Sequence, residues 1–452
     1  MLVRLCVRRL LGRYRGRVSD DHDTTSPFTT THGSPAVLQI RIDLNEAQPP
    51  IWRRLNLRAD LTLDVVHQVI QDAFGWADSH LHRFALGGSV WDRDSQLFLC
   101  PYDVAEGDED GTPEELVRLD QVLNEPGDVL RYVYDYGDDW QLTLRLEDTQ
   151  PAEPGTPPAV CVAGRRAAPP EDSRFEYMNG GLAALVGDLD RFEAAEVNEL
   201  LARPWYTLRA RGAHPRLLEL VNMLSLSNEG AELGARLAAL PDQPARPSED
   251  ELRTAFSAHL WFLDQAGDGG TPLTAAGYLR PAVVEEAATL LPAMANWIGK
   301  ANREDLTYPV ALFRETLVKH LRLLRTYKGA LHLTRAGAAA RDKPAALFDH
   351  VATSIAPPHQ RGRFVVDADL LVLAYAAVTP DGELPLDRIA AHLADLGYQH
   401  DDGQTASGHD LHRYENNVHD VLVNVAEPPA GRRARSQISA VASALADTAL
   451  QR

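Results

Sequence analysis

The chain has 452 residues, 44% hydrophobic and 24% charged, an ordinary globular composition too long for one core and suited to about two to four domains. A formal net charge of −19 disfavours wholesale binding to polyanions, and three scattered cysteines (Cys6, Cys100, Cys161) exclude a disulfide framework or a CxxC metal knuckle. No apolar run approaches the ~18 residues of a membrane helix, so no membrane partner is expected, and the scarce cysteines point to a reducing, cytoplasmic compartment.

In chain order, the first 18 residues hold six arginines and no acid, and 19–36 are polar and rich in Ser and Thr. Residues 1–36 are expected to be a disordered basic and polar extension, or the product of an upstream start codon. Leu38, Ile40, Ile42 and Leu44 alternate as one face of a strand, and 51–57 resumes an extended pattern. Thr62 is placed to cap a helix whose face carries Leu63, Val66, Ile70 and Phe74, with Gly75 ending it. His82, Phe84 and Leu86 predict another strand, and the acidic 103–115 an exposed loop. Leu130, Tyr132 and Tyr134 lead into the turn Asp135-Tyr136-Gly137-Asp138, after which Trp140, Leu142, Leu144 and Leu146 alternate, a β-hairpin pattern. An α+β domain follows for 37–205, an antiparallel sheet with a packed helix.

The segments PPIWRRLNLRADLTLDVVHQVIQDAFGWADSHLHRF and YVYDYGDDWQLTLRLE together resemble the two diagnostic blocks of the plasmid pRiA4b ORF-3-like family. Pro169-Pro170-Glu171-Asp172 resembles its third block. The resemblance implies an accessory protein whose relatives also travel with insertion elements, and it names no reaction. The family often has cysteines flanking the third block and a histidine two residues past the hairpin tryptophan; here Ala168, Ser173 and Leu142 stand there.

Residues 181–202 read as helix, and 206–248 as a helical connection ending in the proline-rich linker 241–248. Helical periodicity returns after Pro281 and after Pro309, where Val310, Phe313, Leu317, Leu321 and Leu324 recur. A turn at 327–329 and a short strand at 331–333 follow. For 249–350 this describes a winged helix-turn-helix, and a plain helical bundle gives the same periodicity. Residues 360–452 are expected to be an acidic helical domain, so the C-terminal region is mostly α.

Two constellations could carry function. His67, Trp76, His80, His82, Tyr134, Asp135, Asp138, Asp139 and Trp140 could form a ligand pocket, an acid/base pair or, with two rings on one face of 80–82, a metal site. They could equally be turn formers and core aromatics. The absences at Leu142, Ala168 and Ser173 favour a shallow ligand or peptide site over a metal centre, so neither metal nor cofactor is expected. The second constellation is basic: residues 308–335 carry Arg314, Lys319, Arg322, Arg325, Lys328 and Arg335 against Glu315 alone. On a recognition helix they could meet nucleic acid; they could also contact protein, or solvate an amphipathic helix. No phosphate loop, dinucleotide fingerprint, nucleophile elbow or HExxH helix is present. A protein or small-ligand binding module comes first, a nucleic-acid binder second, a His/Asp metal-dependent enzyme third.

Overall fold

The computed structural model describes residues 35–451, apart from 181–187, 189, 268, 358–362, 401–402, 406, 412–416 and 433. The expected N-terminal extension and the first part of the expected 181–202 helix therefore lie outside the described residues. The chain divides into two compact units, Met1–Tyr206 and Thr207–Arg452.

Unit 1 is built on one sheet of eight strands: β1 (Ala36–Leu44), β2 (Trp52–Arg58), β3 (His82–Leu86), β4 (Gln96–Leu99), β5 (Thr112–Pro113), β6 (Val129–Tyr134), β7 (Trp140–Pro151) and β8 (Ala159–Arg165). Their order is β5-β4-β3-β6-β7-β1-β2-β8. The short β4–β5 pair is parallel, so the sheet is mixed, not purely antiparallel as expected. The hairpin β6–β7 sits at its centre, with Tyr134 opposite Trp140 and Leu130 opposite Leu144.

Strand alternation buries Leu38, Ile40, Ile42 and Leu44 of β1 with Tyr132 and Tyr134 of β6. Helix α1 (Leu63–Phe74) covers the sheet: Tyr132 reaches His67 and Gln71, and Arg53 of β2 donates to the Ala73 carbonyl at 2.7 Å. Burying its guanidinium lowers the Arg53 pKa to about 10. Gly75 ends α1 in the left-handed region, φ 74°, its N–H returning to the Gln71 carbonyl. In the hairpin turn the left-handed positions are Asp135 and Asp139, not Gly137.

The acidic stretch 103–115 is not an open loop. It holds the end of α2 (Pro101–Glu106), strand β5 and a 3-10 turn that buries Glu114. Helix α3 (Arg174–Met178) follows the third block, and α4 (Ala194–Leu201) packs near β8, where Asn198 exchanges two hydrogen bonds with the Cys161 backbone.

Unit 2 is mostly helical with one small sheet. Helix α5 (Ser257–Gln265) leads to β9 (Thr271–Pro272), then α6 (Pro281–Leu290), α7 (Tyr308–Glu315), β10 (Leu324–Tyr327) and β11 (Ala330–Leu333). The strands lie in the order β10-β11-β9. The single helix expected to run from Pro309 to Leu324 is not formed. After Glu315 the chain widens into a π turn, Thr316–His320, and Arg322 takes φ 50° before β10 begins. The apolar period runs on only because Leu324, first residue of a strand, falls where the next helical position would.

The core of the unit is α8 (Arg363–Ala377), buried from Val366 to Ala377 and packed on α9 (Ala440–Leu450). The proline stretch 241–248 lies inside this unit, between helices Asn228–Ala238 and Glu249–Ala255. Asp367 and Asp369, two acids of the stretch expected to be an acidic helical domain, are buried in α8. Among the described residues no helix is long and apolar enough to cross a membrane.

Candidate functional site

The three stretches 67–82, 132–140 and 169–174 meet on unit 1. The indole of Trp76 donates to the Pro169 carbonyl at 2.9 Å, and the Ala77 amide to Glu171 at 2.8 Å. The Tyr134 hydroxyl donates to Glu171 and accepts from the Ser79 amide at 2.8 Å. Asp138 accepts the Arg174 amide at 3.0 Å, tying the hairpin turn to α3. The Arg174 guanidinium lies over the buried Trp140 ring, 5.0 Å from its centroid, and Tyr177 packs against the same ring.

The histidines that share one sequence block do not share one site. The chain is extended only from His82, so the expected common face for His80 and His82 does not exist. His82 turns inward to α1; His80 stays at the corner with Asp135 and Asp172.

The inward group is a closed network. Gln71 donates to the Tyr132 hydroxyl at 3.0 Å, and that hydroxyl meets His67 Nδ1 at 2.8 Å. His67 Nε2 faces Asp78 at 2.8 Å, and the Asp78 amide returns to Gln71 Oε1 at 3.2 Å. The carboxylate requires N–H on Nε2, so Nδ1 accepts from Tyr132. Burial, and then His82, lower the His67 pKa. Burial is the largest influence on the Asp78 carboxyl and pushes its pKa up, but the hydrogen bonds from His67 and Gln68 and the neighbouring imidazoles together outweigh it and its pKa is lowered. His82 Nε2 meets both Glu114 oxygens at 2.9 and 3.0 Å. Burial holds His82 down to about 4 and Glu114 well above its usual range, so the pair shares one proton.

The outward group is open. His80 Nε2 lies 3.2 Å from Asp172 Oδ1 and 3.6 Å from Asp135 Oδ2. It is nonetheless a buried nitrogen with no aligned hydrogen-bond partner among the described residues. Asp135 Oδ1 is engaged by its own turn, accepting the Gly137 and Asp138 amides at 2.9 and 3.2 Å, so Oδ2 is the oxygen turned to His80. The Asp172 side chain is 77% exposed.

Residues 36–209 match the family described as plasmid pRiA4b ORF-3-like protein. They are a pRiA4b ORF-3-like domain. An uncharacterised protein of Sinorhizobium fredii, y4hQ, is 29% identical over 137 residues, 30% of this chain and 66% of its own length, just under two thirds. A protein of unknown function from Methanosarcina mazei, MM3350, is 27% identical over 36% of this chain and 97% of its own, with a TM-score of 0.30.

Of the residues singled out in the pRiA4b ORF-3-like domain, Trp76, His80, Tyr134, Asp135, Asp138 and Trp140 lie at or beside the corner. His67 and His82 lie in the inner network. Asp139 is occupied elsewhere, accepting from Trp91 and Gln141. Asp78, Glu114, Tyr132, Glu171 and Asp172 were not singled out. Glu171 and Asp172 had a signal in the third block of the domain, whereas Glu114, in an acidic run, had none.

In unit 2 the basic set is dispersed. Arg314 pairs with buried Glu304 at 2.5 Å and Lys319 with Glu315 at 2.5 Å. Arg322 lies in the loop before β10, Arg325 on that strand, Lys328 in the ribbon turn and Arg335 at the start of helix Arg335–Ala340. They do not form one helical face.

Proposed function

We propose that the pRiA4b ORF-3-like domain is a peptide-binding module whose recognition face is the corner of His80, Asp135 and Asp172 together with α3. The observation that carries this is the pairing of an open polar corner with exposed apolar side chains on the adjoining helix. Phe175 is 77% and Met178 61% exposed, three residues apart and so on one face of α3, directly after Asp172. Large apolar side chains next to unspent polar groups favour binding over solvation alone.

The test is selection from a displayed peptide library on the full chain, with hits repeated on Phe175→Ser and Met178→Ser. Sequence-related peptides weakened by both substitutions are expected. Hits indifferent to both would move the binding face elsewhere.

Unit 2 is read as carrying a winged-helix-like element that docks protein. The order α5, β9, α6, α7, β10, β11 with the last strand between the other two supports that element. The acid partners of Arg314 and Lys319 leave the helix itself little net positive charge, which favours protein over nucleic acid.

A further inference from the structure

We infer that His80, Asp135 and Asp172 hold a divalent first-row transition-metal ion. The inference rests on reading the corner as the binding face, and names what sits at its centre. A cation with ligand bonds near 2.0–2.1 Å in tetrahedral geometry sets its ligand atoms about 3.3 Å apart. The ligand atoms offered here stand 3.2 and 3.6 Å from the His80 nitrogen, and all three lie within 4.8 Å of one another.

Separation alone would describe many surface carboxylates. The His80 nitrogen adds a second observation: it is shielded from water, two oxygens are near, and neither lies in hydrogen-bonding geometry. A lone pair directed at a shared cation explains that arrangement, because metal ligands converge on a common point and not on one another.

The frame is built before any ion enters. Tyr134 accepts the His80 backbone amide at 3.3 Å and donates to Glu171, next to Asp172, while Trp76 and Ala77 hold the third block from the other side. Asp135 is held by the two turn amides through the oxygen it does not offer. Two carboxylates match a 2+ charge, and the imidazole favours zinc, copper, iron or nickel over calcium, magnesium or manganese. Three protein ligands leave a coordination position for a carboxylate or carbonyl of the bound peptide.

The neighbouring group of His67, Asp78 and His82 also lies within 4.8 Å, yet its geometry is spent. Both His67 nitrogens and His82 Nε2 already have aligned partners, and the two rings are parallel and stacked. The expectation of a metal-free corner was drawn from Leu142, Ala168 and Ser173, and this proposal departs from it because none of those three positions belongs to this ligand set.

The experiment strips the full-length protein with chelator, then titrates zinc or cobalt by calorimetry and measures metal per chain after dialysis. One ion per chain is expected, weakened about tenfold or more by His80→Ala and by Asp172→Asn. Asp172 is exposed, so its substitution spares the fold; Asp78→Asn should leave binding unchanged. No stoichiometric ion, or an ion lost with Asp78→Asn and retained with Asp172→Asn, overturns the site. Peptide selection repeated in excess chelator separates the two readings: peptides that still depend on Phe175 while no metal binds would sink the ion and keep the peptide face.

Discussion

The rings of His67 and His82 stack face to face, 3.4 Å between centroids and 3° from parallel. Two protonated imidazoles could not share that contact in a buried site, since like charges at this range repel strongly at low dielectric. Burial lowers the pKa of each ring, so the pair is neutral, with its hydrogen-bonding needs met outward by Asp78 on one ring and Glu114 on the other. It serves as a polar pin between α1 and β3.

The pin depends on the Tyr132 hydroxyl, which is fully buried and joins Gln71 to His67. Tyr132→Phe keeps the ring and leaves His67 Nδ1 without its donor. An unsatisfied buried acceptor costs about 1–3 kcal/mol. Urea unfolding of the full chain, followed by a unit 1 probe, should show the unfolding free energy lowered by that much and the midpoint shifted down accordingly. An unchanged midpoint would mean the network is not holding α1 to the sheet.

In unit 2, His259 is fully buried with both ring nitrogens unpaired among the described residues, edge-on to Phe256 and Phe313 at 5.1 and 4.7 Å. Burial lowers its pKa to about 3. The unfolded chain binds this proton below about pH 6.5 and the folded chain does not until about pH 3, so stability falls as pH drops through that window. At pH 5 the loss is about 2 kcal/mol. His259→Phe should remove it, and the variant should gain more in melting temperature at pH 5 than at pH 8. Equal gains at both would place the proton elsewhere.

Asp367 is wholly buried and receives Arg216 through Nε at 2.7 Å and Nη2 at 2.6 Å, with the Tyr398 hydroxyl at 2.8 Å. Arg216→Ala strands that carboxylate and should destabilise unit 2 by roughly 3–5 kcal/mol in chemical denaturation. Asp367→Asn combined with Arg216→Met should recover part of the loss, because the uncompensated charge is gone. A double variant as unstable as the single one would show that packing, not charge, is at stake.

The exposed cations of the β10–β11 ribbon, Arg325 and Lys328, flank Tyr327. A nucleic-acid role would give affinity falling with salt by a log–log slope of about 0.9 per phosphate neutralised. Fluorescence anisotropy of full-length protein with a labelled duplex at low salt should show no such slope. A slope reduced by about two units on Arg325→Ala with Lys328→Ala would reinstate the nucleic-acid reading.

Local signals were legible wherever the chain's chemistry acts within a few residues. The alternation of Leu38 to Leu44, the helix that starts after Thr62 and closes at Gly75, and the Tyr134–Trp140 hairpin each follow from side-chain period and turn preference, and the family blocks mark the domain built on them, although the Thr62 side chain turns to Asp64 and caps no backbone amide. Where the pattern outran its cause, as at Leu324, periodicity could not separate the end of a helix from the start of a strand. Tertiary structure alone decided the partners. It sent His82 inward to Glu114 and left His80 outside with Asp172, although a single residue separates the histidines and His82 and Glu114 lie 32 positions apart. The physical reason is that sequence spacing sets only which way a side chain leaves its own strand or turn, whereas a site needs groups brought from several elements, and their meeting depends on sheet order and on what each burial leaves unpaired.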